Sequence, residues 1–246
     1  MPMFQSKMRN LFVITARGGS KGVKNKNIVK INNIHLLGYK AISAEKSNFC
    51  DGIIITTDSQ EIADIAKTYN VDVPFLRPRY LAEDGTSSED TLIHAVSYME
   101  NVLSQNYDII TLLQPSAPFA TYEHINNALN LFIERKADAV ISVKEVGSTK
   151  FTAQIEKDLS MKNHYEKIKD LSSRRRQDLN KEYRINGALY IVSKDYFMKT
   201  KSLYSEKMYA YVMPEDYSVD IDTVDDLKYA EYLVKNGYID LKYWEK

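Results

Sequence analysis

The chain has 246 residues, 44% of them apolar, with 33 basic and 33 acidic side chains that cancel. That length and core content suit one large domain or one domain with an insertion. The zero net charge argues against a nucleic-acid binder, and a lone cysteine, Cys50, excludes an internal disulfide and a cysteine-rich zinc site. No apolar run reaches the roughly 18 residues of a membrane span, and the first ten residues lack the apolar core of a signal peptide. The expectation is a cytoplasmic enzyme, with residues 1–9 as an N-terminal extension.

Residues 11–14, LFVI, read as a buried strand. They run into Ala16-Arg17-Gly18-Gly19-Ser20-Lys21-Gly22, with Lys24, Lys26 and Asn27 close behind. Three glycines in five residues let the backbone turn sharply and bring N–H groups close to a ligand. The first acidic residue is Glu45, and eight basic residues precede it. This pattern predicts an anion cradle suited to polyphosphate. It matches neither GxxxxGK[ST] nor GxGxxG.

A helix is predicted over about 36–47 and a buried strand over 53–57. Asp58-Ser59 stands ready to cap a helix at 60–69. Residues 71–75 read as extended and Leu76-Arg77-Pro78 as a rigid turn. A helix starts in Thr86-Ser87-Ser88-Glu89-Asp90, burying Leu92, Ala95, Val96 and Met99. A strand follows at 109–113, stopped by Gln114-Pro115, then a helix at 121–135 and a strand at 139–143. Alternating strands and helices predict parallel βαβ units. Ligands of such sheets gather at the C-terminal strand ends, where Thr15, Thr57 and Gln114 fall. Residues 147–183 are charged, carry no clear period and include Arg174-Arg175-Arg176. Strand character returns at 185–192 and 208–213, and a helix closes the domain at 224–236. Tyr229 and Tyr232, at helical spacing, read as packing residues. The four histidines lack zinc-ligand spacing.

The second chemical motif is Ser218-Val219-Asp220-Ile221-Asp222-Thr223. In an extended segment Asp220 and Asp222 point to one side. Two carboxylates beside polyphosphate make a Mg²⁺ site; the competing role for Asp222 is to cap the helix that follows.

The loop ARGGSKG followed by Lys26-Asn27, together with the DIDT of residues 220–223, resembles the CMP-sialic acid synthetases, or N-acylneuraminate cytidylyltransferases, including those that activate legionaminic and pseudaminic acids. Three further blocks are similar to that family in the same order: Arg77-Pro78 through Leu81-Ala82, Asp84 and Thr86-Ser87-Ser88; Leu113-Gln114-Pro115-Ser116-Ala117-Pro118; and Arg176-Gln177 with Tyr183 to Tyr190, which includes Asn186-Gly187. The resemblance implies a single α/β Rossmann-like nucleotidyltransferase domain over 10–246, with a mainly parallel sheet and an inserted dimerisation arm at 147–183. It implies transfer of CMP from CTP to a nine-carbon 2-keto-3-deoxy sugar acid, with Mg²⁺ or Mn²⁺, in a homodimer, without nucleic acid or membrane. By the same resemblance Arg17, Lys21, Lys26 and Asn27 hold the CTP phosphates. Arg77 and Ser88 contact the nucleotide. Gln114, Arg176, Gln177, Asn186 and Tyr190 serve the sugar acid, and Asp220 and Asp222 hold the metal. Arg17, Lys21, Asp220 and Asp222 form the catalytic set. LQPSAPFA stands where the family reads LQPTSPLR, which leaves the acid open among sialic, legionaminic and pseudaminic acids. A metal-dependent glycosyltransferase and a non-catalytic nucleotide-binding regulator are the rival readings; pyrophosphate release from CTP separates both from a cytidylyltransferase.

Overall fold

The computed structural model describes residues 8–20, 22–146, 169 and 181–245. Six strands form the main sheet: β1 (Asn10–Thr15), β4 (Gly52–Thr56), β5 (Ile109–Leu113), β6 (Ala139–Glu145), β7 (Tyr183–Ser193) and β8 (Met208–Met213). Their order is β4-β1-β5-β7-β6-β8. β1 pairs in parallel with β4 and β5, and β6 with β8, while β7 runs antiparallel between β5 and β6. A small hairpin, β2 (Lys30–Ile31) and β3 (Ile34–His35), precedes the first helix. The sequence pattern did not predict it, because Asn32 and Asn33 supply its two left-handed turn residues without a glycine.

Strand alternation divides the core in two. Phe12 and Ile14 face one side, against α1 (Leu36–Glu45), α2 (Gln60–Lys67) and α4 (Tyr122–Arg135). Leu11 and Val13 face the other, against α3 (Ser88–Asn101) and α5 (Lys194–Thr200). A sheet covered on both faces needs continuous apolar strands, and β1 and β5 meet that demand. The final helix, α6 (Val224–Lys235), packs with the outer side of α1 and with Trp244 in a third cluster. Trp244 donates its indole N–H to the Tyr39 carbonyl and to Ser43 Oγ, at 2.9 and 2.8 Å, which fixes the C-terminal segment on α1.

One expectation changes. Tyr229 and Tyr232 are 48% and 51% exposed and stack on each other rather than packing in the core. Residues 71–75, read as extended, form an isolated parallel bridge to β4, Asp72 with Ile54. The expected arm lies almost wholly outside the described residues.

Candidate active site

β1 sits between two parallel neighbours, so the chain leaves it at a switch in strand order. The crevice opens beyond the C-terminal ends of β1, β4 and β5, where such sheets bind ligands. A cleft of about 410 Å³ lies there, lined by the glycine loop, the segment 81–91, Gln114 to Ser116 and Asp222.

The glycine loop is held from outside. Gly18 N–H donates to Asp58 Oδ1 at 2.8 Å, so Asp58 serves the loop while Ser59 takes the cap of α2. The Asn27 side chain is buried and donates to the Arg17 carbonyl at 2.9 Å. A methyl group on Gly22 would lie 2.0 Å from the Asp222 carbonyl oxygen. The glycine therefore lets the loop and the acidic motif touch, backbone to backbone.

Two of the described cations that line the cleft, Lys26 and Arg17, already hold carboxylate partners. Lys26 Nζ lies 2.9 Å from Asp222 Oδ1. Arg17 pairs with Asp84 at 2.9 Å and donates to the Ala82 carbonyl. Both acidic partners are more than half exposed, and such pairs are worth about 1 kcal/mol or less. An incoming phosphate can replace them at small cost.

Asp222 is not the cap of α6. Thr223 caps it, accepting from Asp226 N–H, and the Asp226 carboxylate accepts from the backbone of Asp222 and Thr223. Asp222 is thereby left to Lys26 and the cleft. The Asp220 carboxyl is raised above the ordinary carboxylate range by burial, and repulsion from Asp222 adds to this. A hydrogen bond from Ser116 opposes the shift, as do Lys26 and Lys40. Among the described residues no group of three or more His, Cys, Asp or Glu could hold a metal. Two carboxylates are the number that Mg²⁺ ordinarily takes from a protein when phosphate oxygens and water complete its shell.

The structure gives several candidate residues internal work. Arg77 is buried. Its guanidinium donates to Thr56 Oγ1 at 3.0 Å, to the Thr56 carbonyl and to the Leu81 carbonyl at 3.3 Å. Burial lowers its pKa to about 10, with Asp58 opposing and Arg17 adding to the shift. It ties the end of β4 to one wall of the cleft that it also lines. Ser87, not Ser88, caps α3, which frees the Ser88 hydroxyl in the cleft wall. The Asn186 side chain is buried and engaged at all four of its hydrogen-bonding sites. It donates to Ser218 and Met213 and accepts from Ser142 and the Ala188 N–H. Tyr190, partly buried on β7, has its phenol pushed up to about 12 by burial, with Tyr204, Asp220 and Glu89 adding. Gln114 lines the cleft, and its Oε1 stands 3.2 Å from where a Gly187 methyl would be. Gly187 has φ +73°, a conformation that suits glycine. Lys21, Arg176 and Gln177 lie outside the described residues.

Sequence reasoning read Asp58 as a helix cap and named Asp84 and Ser116 only within the similar blocks, giving none of them a role in the site, and it did not single out Lys40. Asp58 and Ser116 sit at strand ends that the pattern located. Nothing local marks Asp84 as facing this cleft or Lys40 as lying buried behind it.

The cytidylyltransferase family pattern matches residues 11–244. This chain belongs to the cytidylyltransferase family. It is 33% identical, over 91% of its length and 94% of the relative's, to a CMP-N,N'-diacetyllegionaminic acid synthase of Campylobacter jejuni. It is 32% identical to the post-translational flagellin modification protein B of Campylobacter coli, covering 94% and 97% of the two chains. An N-acylneuraminate cytidylyltransferase of Escherichia coli is 33% identical over 89% of this chain and 50% of its own. Among solved structures, a CMP:2-keto-3-deoxy-manno-octonic acid synthetase complexed with CTP superposes with a TM-score of 0.67. It covers 93% of this chain and 99% of its own at 13% identity, a likeness of fold.

Proposed function

We propose that this nucleotidyltransferase joins CTP and a nine-carbon 2-keto-3-deoxy sugar acid to give the CMP-sugar and pyrophosphate. The observation that carries this reading is the contact of the glycine loop with the acidic motif, Gly22 against Asp222, at the mouth of one cleft. It supports a reading in which the loop cations meet a polyphosphate beside carboxylates that take its metal. The relatives that activate legionaminic and N-acylneuraminic acids support the choice of acceptor.

In this reading the anomeric hydroxyl attacks the α-phosphorus in line. A new O–P bond forms, the α–β phosphoanhydride bond breaks, pyrophosphate leaves with the electron pair, and the hydroxyl proton passes to solvent. Arg17 and Lys26 exchange their carboxylate partners for phosphate oxygens, and Lys21 joins them. Gly18 and Asn27 keep the loop shaped for that contact. Ser88 and Arg77 border the nucleotide, and Gln114 and Tyr190 the sugar acid. Asp220 and Asp222 would hold Mg²⁺, which would supply charge neutralisation at the phosphates. Catalysis is then positioning and electrostatics. Arg176 and Gln177 come from the 147–183 segment of the neighbouring subunit in a cytoplasmic homodimer.

The test is a panel of CTP, UTP, ATP and GTP against sialic, legionaminic, pseudaminic and octulosonic acids, scored by pyrophosphate release. Release with CTP and one nine-carbon acid is expected. Release with no acid rejects the reading.

A further inference from the structure

Lys40 is one of the largest side chains with no exposed surface. It stands on α1 among Leu37, Tyr39, Ala41 and Ile42, all buried. A buried lysine is costly unless its hydrogen-bonding geometry repays the burial. Its Nζ donates to the Ala188 carbonyl at 3.1 Å.

That carbonyl lies where β7 leaves the ladder. Ile185 pairs with Val143 and Tyr190 pairs with Ile141, so four residues of β7 stand against one of β6. On the other side, pairing with β5 ends at Tyr190 and Leu112. Such a bulge deprives backbone groups of sheet partners, and buried groups must find others. Side chains supply them here. Asn186 Oδ1 accepts from Ala188 N–H, and Ser142 Oγ accepts from the Leu189 N–H while its own proton goes to Asn186. Lys40 takes the Ala188 carbonyl. The bulge carries Gly187, whose added methyl would meet Gln114 Oε1 at 3.2 Å and Asp220 Oδ2 at 3.5 Å. The bulge is therefore the floor between Gln114 and Asp220.

We infer that Lys40 is a positioning residue for the sugar-acid side of the cleft: through the Ala188 carbonyl it holds the 186–189 bulge in the shape that spaces Gln114 from Asp220. The inference rests on the function proposed above. Burial lowers the Lys40 pKa to about 7 against the pull of Asp220, and both protonation states keep an N–H for Ala188. The donor, rather than the charge, is what the bulge requires.

Lys40→Met keeps the length of the side chain and removes the donor; Lys40→Gln, which keeps a donor, is the milder second variant. Each is read by steady-state kinetics and by hydrogen exchange of peptides spanning 183–193. The acceptor is whichever of N-acetylneuraminate, legionaminate and pseudaminate turns over with the wild type. For Lys40→Met the acceptor KM is expected to rise at least about tenfold, since small misplacements near reacting groups cost up to about a hundredfold. The KM for CTP should stay within about twofold. Exchange at 186–190 should accelerate while 11–15 and 109–113 stay protected. Lys40→Gln should fall between wild type and Lys40→Met. Unchanged acceptor KM and unchanged exchange overturn the inference. Equal damage to both substrates, with exchange rising across the sheet, also overturns it, because that marks a general structural role. If the wild type turns over none of the three acids, the functional reading falls, and exchange at 186–190 still decides whether Lys40 holds the bulge.

Discussion

At the scale of single residues the acidic motif divides its labour. Thr223 and Asp226 manage the start of α6, so the Asp222 carboxylate is left to Lys26 and the cleft, while Asp220 takes a hydrogen bond from Ser116. Asp220→Asn removes one anionic ligand from the proposed metal site. Turnover should fall at least about a hundredfold, the scale of losing a major electrostatic stabiliser. CTP binding measured by calorimetry without metal should change little. Wild-type turnover at saturating Mg²⁺ rejects the metal assignment. Gly22 makes a different demand, because its missing side chain lets two backbones meet. Gly22→Ala must move the Asp222 carbonyl away from a 2.0 Å clash. Turnover should drop at least about tenfold, and the thermal midpoint should fall as the two backbones are forced apart. Full activity would show that this contact does not set the position of Asp222.

Elements place these residues through their ends. β1, β4 and β5 deliver Thr15, Thr57 and Gln114 to one edge, and helix caps decide which polar side chains stay available. Ser59, Ser87 and Thr223 cap α2, α3 and α6, which releases Asp58 for the glycine loop and Ser88 and Asp222 for the cleft. Thr223→Ala breaks a capping box and should cost about 1 kcal/mol of stability. It also frees Asp226, whose carboxylate holds the Asp222 N–H. A lower thermal midpoint accompanied by weaker Mn²⁺ binding is expected. A lower midpoint with unchanged metal affinity would confine the cap to a stabilising role. Capping signals are local, so the sequence made each of these helix starts legible to within a residue or two. The antiparallel insertion of β7 was not legible, because pairing direction depends on strands dozens of residues apart.

For the whole molecule, the buried polar groups beneath the sheet bear on pH stability. Burial, with the nearby Lys40 charge adding to it, holds His124 down at about 4. The unfolded imidazole takes up its proton near 6.5, so falling pH favours the unfolded chain between about 6.5 and 4. Below both values the effect is constant. The loss is of order 3 kcal/mol at most. Chemical denaturation of wild type and His124→Asn across that range should show a shallower slope for the variant; equal slopes would remove His124 from the account. The proposed homodimer has its own check. Arg176→Ala and Asp220→Asn should each be nearly inactive as homodimers. Co-purified as a heterodimer through two tags, they should regain about half the wild-type activity, since two-fold symmetry leaves one intact site. A heterodimer as inactive as its parents would place Arg176 in its own subunit's site.

The chain by itself determined the α/β alternation, the glycine loop, the acidic motif and their meeting at the C-terminal strand ends. Those features are local, written in apolar periodicity, glycine spacing and charge, and βαβ geometry brings them together. Tertiary structure alone decided which candidates work inward. Arg77 clasps the end of β4, Asn186 braces a bulge, and Asn27 holds the Arg17 carbonyl, tasks that arise only when distant backbone groups lose their solvent and need a donor or acceptor. It also decided the place of Lys40, a lone cation in an apolar helix whose partner is 148 residues away. No local pattern encodes that bond, because the unpaired carbonyl exists only once β7 has bulged between β5 and β6.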